Sequence, residues 1–549
     1  MSGSSALPLG EMLDLAAERQ GDTPAIVFKG ARVTYRELRE RADRFARGLL
    51  GLGLGPGDHV VLWMPNSIEW NIANFAVAKI GAVTVTCNSR YKAFEVEYLL
   101  RQSDARALVM VDRFDAAGVV DYLEILREVC PDVLWRQDRV LRSAGFPELR
   151  HVIVLGKSRD PGCLDWAEVE RLGARVPPGE LGRIRVASGD PVEMLYTSGT
   201  TGAPKGCLLS HENFWYKARV YLDLHGWTAE DRCLVPVPYF HIFGALGCIV
   251  ANTLAGSTQV LMEVFEPEAA MRLIQDERVT VFSGVPTMFI TVLGHPRFKD
   301  FDLRSLRTGT IGAAPVPIEM MRRILDREGG LGMDATVVYG LTEATGGTHF
   351  TRLGDPLDKR VATVGRATPE LADRVVDPVT GRERAAGEEG ELCVRGPTLM
   401  LGYYKRADAT AEKIRDSWLH TGDMAVKDAD GYVRITGRLT DMIIVGGFNT
   451  YPAEIEDFYL RHAKILDVSI VGVPDPVLGE VPMAFVIPRA GESLTADEVI
   501  EFGRGRIANF KVPRHVEIVG EFPLTGSGKV QKFKQRAWAV ETYGFKGPA

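Results

Sequence analysis

Tyr196-Thr197-Ser198-Gly199-Thr200-Thr201-Gly202-Ala203-Pro204-Lys205-Gly206 reads as a loop built to hold phosphate. It follows Glu193 to Tyr196, which reads as a strand. Gly199 and Gly202 free the backbone to turn and to approach a ligand closely. The hydroxyls of Thr197, Ser198, Thr200 and Thr201, with exposed N–H groups, suit phosphate oxygens, and Lys205 adds positive charge. A flexible Ser/Thr/Gly surface loop is the plain alternative, and it leaves the single lysine unexplained. The stretch is not a Walker A loop, because Pro204 precedes the lysine and Gly206 follows it. Gly526-Ser527-Gly528-Lys529 fails the same test through Val530 and Pro523. A P-loop kinase or ATPase is therefore not expected.

On the amino-terminal side the chain alternates helix and strand. Thr34 and Glu37 predict a capping box, after which Leu38, Ala42, Phe45 and Leu49 fall on one helical face. Gly55-Pro56-Gly57 predicts a turn, and His59 to Met64 a buried strand. Glu69 to Ile80 reads as helix, Ala82 to Thr86 as extended chain, and Gly244 to Leu254 as a buried helix. This rhythm predicts an α/β protein with helix-covered β-sheets. On the carboxyl-terminal side a Gly-rich, β-like stretch runs from Gly390 to Ile435. A smaller α/β unit follows, with a helix from Ala453, strands at Asp467 to Val473 and Met483 to Ile487, and a helix from Thr495. The expected division is a large N-terminal domain at 1–436 with a β-rich subdomain, a hinge at 437–441, and a small mobile C-terminal domain at 442–549.

Bulk properties narrow the function. A chain of 549 residues exceeds one hydrophobic core. Hydrophobic content of 46% and charged content of 25% are those of a globular protein. The net charge of -7, without a basic stripe, argues against a nucleic-acid partner. Met1 to Leu13 lacks the pattern of a signal peptide, and no apolar run is long enough to span a bilayer. Seven scattered cysteines without a C-x-x-C pair argue for a reducing cytoplasmic setting and against a zinc site or a disulfide frame.

Four further motifs follow the loop in order: Y-G-L-T-E at 339–343, H-T-G-D at 420–423, G-R-L-T-D-M-I at 437–443, and the G-K lysine at 528–529. With Y-T-S-G-T-T-G-A-P-K-G, the set resembles the AMP-forming acyl-CoA synthetases. Their superfamily also holds firefly luciferase and the adenylation domains of peptide synthetases. The resemblance covers nearly the whole chain. It implies two half-reactions: a carboxylate attacks the α-phosphorus of ATP to give acyl-AMP and pyrophosphate, then the thiol of coenzyme A displaces AMP. Two anions must meet in the first, so positioning and charge neutralisation are the enzyme's task.

The resemblance implies roles residue by residue. Thr342 contacts the α-phosphate and Glu343 holds Mg2+. Tyr339, with Gly340, offers a flat face to adenine, and Gly312-Ala313-Ala314 flank adenine and the acyl pocket. Asp423 accepts from the ribose hydroxyls and Arg438 touches ribose or phosphate. Lys529 stabilises the charge that builds up during adenylation, whereas Lys511, Lys532 and Lys534 read as solvated. Gly446-Gly447-Phe448 would line the passage of the pantetheine arm once the small domain rotates. His241 matches an aromatic gate between acyl pocket and thiol tunnel. Thr440 departs from the family's usual Asp or Lys at the pivot.

The acid is expected to be an apolar monocarboxylate of medium-chain, alicyclic or aromatic shape. G-G-F-N-T-Y-P-A-E-I-E at 446–456 and G-K-V-Q-K-F-K at 528–534 look like medium-chain-type synthetases. By resemblance the pocket is built from Tyr239 to Gly244, Val285 to Phe289, Gly312 to Pro315 and Gly340 to Thr348, which contain no Arg or Lys. Arg307, just upstream, is the residue that threatens this expectation. Alternatives are a stand-alone adenylation enzyme loading a carrier protein, a luciferase-like oxygenase, and a non-catalytic nucleotide-binding homologue. Pro523 and Gly528-Lys529 also resemble the site that protein acetyltransferases modify in this family. Such an acetyltransferase is thus an expected partner of Lys529, and a homodimer stays open.

Overall fold

The computed structural model describes residues 5–115, 120–131, 140–157, 162–197, 204–314, 316–445, 448–450, 452–504, 506–524 and 530–546. Contacts divide the chain into a large unit, made of Met1–Ser198, Pro204–Ala372 and Val394–Leu419, and a smaller one, made chiefly of Asp373–Cys393 and His420–Ala549. The protein is α/β, as its alternating pattern predicts.

Among the described residues two large sheets build the large unit, beside a two-stranded one of Arg113–Phe114 and Val120–Asp121. The first has nine strands in the order Arg366–Ala367, Gly346–Phe350, Asp334–Leu341, Thr308–Gly312, Val281–Phe282, Arg232–Val235, Thr258–Leu261, Pro24–Phe28 and Ala31–Thr34. From Asp334–Leu341 to Pro24–Phe28 its neighbours run parallel. The second has eight strands, ordered Gly402–Tyr403, Lys205–Ser210, Pro191–Thr197, Val83–Thr86, His59–Trp63, Ala107–Val111, His151–Leu155 and Leu164–Asp165. Both faces of this sheet are buried. Val60 and Leu62 join one apolar cluster and the alternate residues Val61 and Trp63 another, which is why His59 to Met64 reads as a continuous apolar run.

Local signals match the elements they predict. Thr34 N donates to Glu37 Oε2 at 2.8 Å and Glu37 N to Thr34 Oγ1 at 3.2 Å, completing the capping box of helix Tyr35–Gly51. Leu38, Ala42, Phe45 and Leu49 are fully buried on that helix. Helix Ile68–Lys79 starts where Ser67 Oγ accepts from Trp70 N at 3.1 Å.

The expected buried helix at 244–254 differs in kind. Its middle, Ala245–Val250, is a π-helix between α-turns Ile242–Gly244 and Ala251–Ala255. Asn252 Nδ2 donates to Cys248 O at 2.6 Å and Thr253 Oγ1 to Ile249 O at 2.8 Å. Both are back-bonds from a side chain to the carbonyl four residues earlier, and they bind the π-run to the α-turn that follows it.

Beyond the expected β-like stretch, the smaller unit centres on strands Ile465–Asp475 and Gly479–Pro488, paired antiparallel, with His515–Ile518 added in parallel. Helices Pro452–Tyr459, Ala496–Gly503 and Lys532–Tyr543 belong to this unit. All seven cysteines are buried, and none is in a disulfide. Among the described residues no helix is long and apolar enough to cross a membrane.

Candidate active site

The phosphate-loop sequence joins the two strands of a hairpin. Pro191–Thr197 and Lys205–Ser210 pair antiparallel, with Thr197 opposite Lys205. Ser198, Gly199, Thr200, Thr201 and Gly202 lie outside the described residues. Strand Gly402–Tyr403 runs along the hairpin with Tyr403 opposite Cys207, and Tyr404 N donates to Gly206 O at 2.8 Å. This register sets Lys205 Nζ over the Tyr403 ring, 5.2 Å from its centroid, within cation–π range. The Tyr403 hydroxyl donates to Glu343 Oε1 at 2.6 Å. Burial, and then the Glu343 carboxylate, push that hydroxyl well above its ordinary pKa and keep it a donor. One ring therefore joins the loop lysine to the carboxylate expected to hold a metal. Tyr403 carries no motif signal; only the strand register reveals it.

Thr342 and Glu343 lie in a 3₁₀ turn, Thr342–Ala344, directly after strand Asp334–Leu341. The turn is held from several sides. Met400 N donates to Glu343 O at 2.9 Å, and Thr345 Oγ1 to Thr398 O at 2.7 Å. Thr345 has φ +56, costly for a β-branched residue and retained where surrounding bonds over-determine it. Gly340 is required by space, since a Cβ there would meet Gly346 O at 1.9 Å.

On the adjacent parallel strand, Gly312 sits opposite Val338. Ala313 follows with φ +72, and Ala313 and Ala314 are exposed. Tyr339 is partly buried, its ring 6.0 Å from that of His349. The structure thus brings Gly312, Ala313, Ala314, Tyr339 and Gly340 to the carboxyl ends of neighbouring strands, where open parallel sheets form their ligand crevices. His241 lies beyond the carboxyl end of Arg232–Val235 in the same sheet, its Nδ1 accepting from Phe243 N at 3.3 Å. Arg307 is at the opposite, amino end of strand Thr308–Gly312. Its Nε and Nη2 donate to the two Asp231 oxygens at 2.8 and 2.6 Å, and Nη1 donates to His225 O at 2.8 Å.

The strand that enters the phosphate loop carries a feature that no motif announces. Glu193 is fully buried, accepting from Asn74 Nδ2 at 3.2 Å, while Asn74 Oδ1 accepts from Thr84 Oγ1 at 2.7 Å. Burial pushes its carboxyl up to about 8.

In the smaller unit, Asp423 and Arg438 face each other across strands Trp418–Lys427 and Val433–Arg438, with Arg438 Nε 3.5 Å from Asp423 Oδ1. Asp423 N donates to Thr421 Oγ1 at 3.0 Å and Thr421 Oγ1 to Leu392 O at 2.7 Å, which fixes the H-T-G-D backbone. Thr440 falls in the turn Leu439–Asp441. Lys529, Gly446 and Gly447 lie outside the described residues, and of Phe448 only its backbone strand, Phe448–Thr450, is described. The expectation that Lys511 and Lys532 are solvated is corrected. They are 22% and 23% exposed, and pair with Glu454 at 2.5 Å and Glu456 at 2.6 Å. Each acid lies on helix Pro452–Tyr459, far away in sequence, so spacing alone hides the pairs.

The chain belongs to the AMP-binding enzyme family: that family's profile matches residues 13–404, and the AMP-binding enzyme C-terminal domain matches 454–529. Within it the protein is an adenylate-forming acyl-CoA ligase. It is similar to YngI of Bacillus subtilis (strain 168), which bears the provisional name of an acyl-CoA synthetase, at 41% identity over 542 residues and 97% of each chain. It is also similar to the mitochondrial medium-chain acyl-CoA ligase ACSF2 of Bos taurus, 38% identical over 96% of this chain and 87% of that one. Among solved structures, the anthranilate CoA ligase AuaEII in complex with anthranoyl-AMP superposes with a TM-score of 0.84 at 25% identity, covering 99% of both chains.

Proposed function

We propose that this ligase joins an apolar monocarboxylic acid, of medium-chain, alicyclic or aromatic shape, to coenzyme A through an acyl-adenylate made from ATP. The observation that carries the choice of acid is that neither the four expected pocket stretches nor Arg307 offers a cation to a second carboxylate. The four expected pocket stretches contain no Arg or Lys, and Arg307 is bound two-fold to Asp231. Burying a second carboxylate unpaired is costly. The similarity to a medium-chain acyl-CoA ligase supports the same choice.

In this reading Lys205 and the loop hydroxyls hold the ATP phosphates, Thr342 contacts the α-phosphate, and Tyr339 lies against adenine. Asp423 and Arg438 hold the ribose side. Glu343 is a hard oxygen donor next to a hydroxyl residue, which fits Mg2+, an ion that keeps water and phosphate among its ligands. Bound with ATP, Mg2+ supplies charge neutralisation across the phosphates. Tyr403 orients the Glu343 carboxylate through its hydroxyl. Lys529 stabilises charge on the attacked phosphorus and then leaves as the small domain turns about 437–441, bringing Gly446, Gly447 and Phe448 to the thiol. Seven buried cysteines, none in a disulfide, support a reducing, cytoplasmic setting.

The test is acid-dependent conversion of ATP to AMP over a panel of acids, with and without coenzyme A. Hexanoate, cyclohexanecarboxylate or benzoate is expected to give the highest kcat/KM, with thioester formed only when coenzyme A is present. A higher kcat/KM for malonate or succinate overturns the acid class. Turnover that needs a carrier protein in place of coenzyme A overturns the acceptor.

A further inference from the structure

We propose that Glu391, Cys393 and His420 form a site for one zinc-class divalent cation, separate from the magnesium expected beside Glu343. Glu391 and Cys393 are alternate residues of strand Glu389–Arg395, so their side chains share one face. His420 comes from the neighbouring strand Trp418–Lys427. The three converge on one atom: Cys393 Sγ is 3.4 Å and Glu391 Oε2 2.7 Å from His420 Nδ1, and one donor atom from each lies within 4.8 Å of the others. Tetrahedral zinc, with bonds of about 2.0–2.3 Å, holds its donors roughly 3.5 Å apart, so small side-chain shifts complete the geometry.

The chemistry of the set points to the same class of ion. A thiolate among the ligands selects borderline-soft cations over Mg2+. Carboxylate and thiolate together neutralise a dication, with a neutral imidazole as third ligand and a fourth position left for water. The buried Glu391 carboxylate contacts the His420 ring, whose side chain is 13% exposed and marks the way in. On binding, the Cys393 thiol proton leaves to solvent, and His420 binds through Nδ1 with its ring proton on Nε2.

Occupancy also reaches the nucleotide side. Glu391 Oε1 accepts from Gly422 N at 3.0 Å, and Gly422 leads directly into Asp423. A cation that draws Glu391 toward itself disturbs this turn and slows adenylation; this second part rests on the ribose role proposed for Asp423.

Titrating the reduced full-length protein with Co2+ tests the site. Near-ultraviolet thiolate-to-cobalt absorption is expected to saturate at one equivalent, to vanish in Cys393→Ala and to persist in Cys207→Ala. Glu391→Gln, which keeps an acceptor for Gly422, should weaken binding tenfold or more. Absorption that is absent, or that survives in Cys393→Ala, overturns the proposal. ATP–pyrophosphate exchange at saturating Mg2+ should be inhibited by Zn2+ in the unsubstituted protein and resist it in Cys393→Ala. Cobalt binding without such inhibition keeps the site and removes the link to Asp423. Failure of the acid panel leaves the cobalt titration untouched; the exchange assay uses an acid that the panel shows to be turned over.

Discussion

The turn that carries Thr342 and Glu343 and the strands that carry Asp423 and Arg438 are held by different means. In the large unit Thr345 is locked at φ +56 by a 2.7 Å bond to Thr398 O, Met400 N holds Glu343 O, and the Tyr403 hydroxyl holds its carboxylate. In the smaller unit Asp423 and Arg438 meet at 3.5 Å, and Arg438 is 45% exposed. The first arrangement spends backbone strain and buried hydrogen bonds to fix geometry before a ligand arrives. The second leaves a partly solvated pair that can rearrange around one. In the proposed function the turn in the large unit would be a fixed frame for the phosphates and the pair in the smaller unit an adjustable set of groups for the ribose.

The largest expected effect tests whether the adjustable side acts in only one half-reaction. Lys529→Ala should slow acyl-adenylate formation by roughly a hundredfold or more, taking one charge-stabilising contact as about 3 kcal/mol. Thioester formation from pre-made acyl-adenylate should largely survive. Acetylation of Lys529, which removes the same charge, should have the same one-sided effect. Equal loss in both half-reactions would remove the idea that the lysine withdraws.

A comparable effect, in stability, is expected from the fixed side. The Glu193 carboxyl has a folded-state pKa of about 8 against an ordinary 4.5. Its raised value means that stability is full below the ordinary pKa and is lost as pH rises toward 8. Between pH 5 and pH 8 the folded state should lose about 3 kcal/mol through this group. Glu193→Gln should flatten that dependence in denaturant titrations and be the more stable form at pH 8. An unchanged pH profile in the variant would show that Glu193 is ionised in the folded protein.

The smallest effects compare the two sides directly. Tyr403→Phe removes a partly buried hydrogen bond to a carboxylate, a class worth about 1.5–3 kcal/mol, and should lower kcat/KM for ATP roughly tenfold. Arg438→Lys alters an exposed, long pair and should change the same constant less than about threefold. The reverse order would mean that the frame around Glu343 is not what positions ATP.

Much of the fold was legible because its signals are local. Thr34 and Glu37 stand three residues apart and cap the helix they predict, and the run from His59 to Met64 needs only its own apolarity to read as buried strand. The family motifs are equally local. What escaped depends on register between distant segments. Tyr403 meets Glu343 and Lys205 because a two-residue strand pairs with the hairpin. Cys393 meets His420 because two strands lie side by side, although cysteine spacing argues against a metal cluster. Lys511 and Lys532 looked solvated because their partners lie on a helix more than fifty residues away.

The π-helical run Ala245–Val250 holds one residue more than an α-helix of the same span would need. Losing a residue there would let the turn tighten to α while Ala251–Ala255 stays anchored, with Tyr35 Oη donating to Asn252 O at 2.9 Å. The segment before it, with His241, Ile242 and Phe243, would then keep its place, because the shortened run covers the same span. A codon deletion here should be tolerated by both flanking turns, whereas one in an ordinary helix would rotate everything beyond it by about 100 degrees.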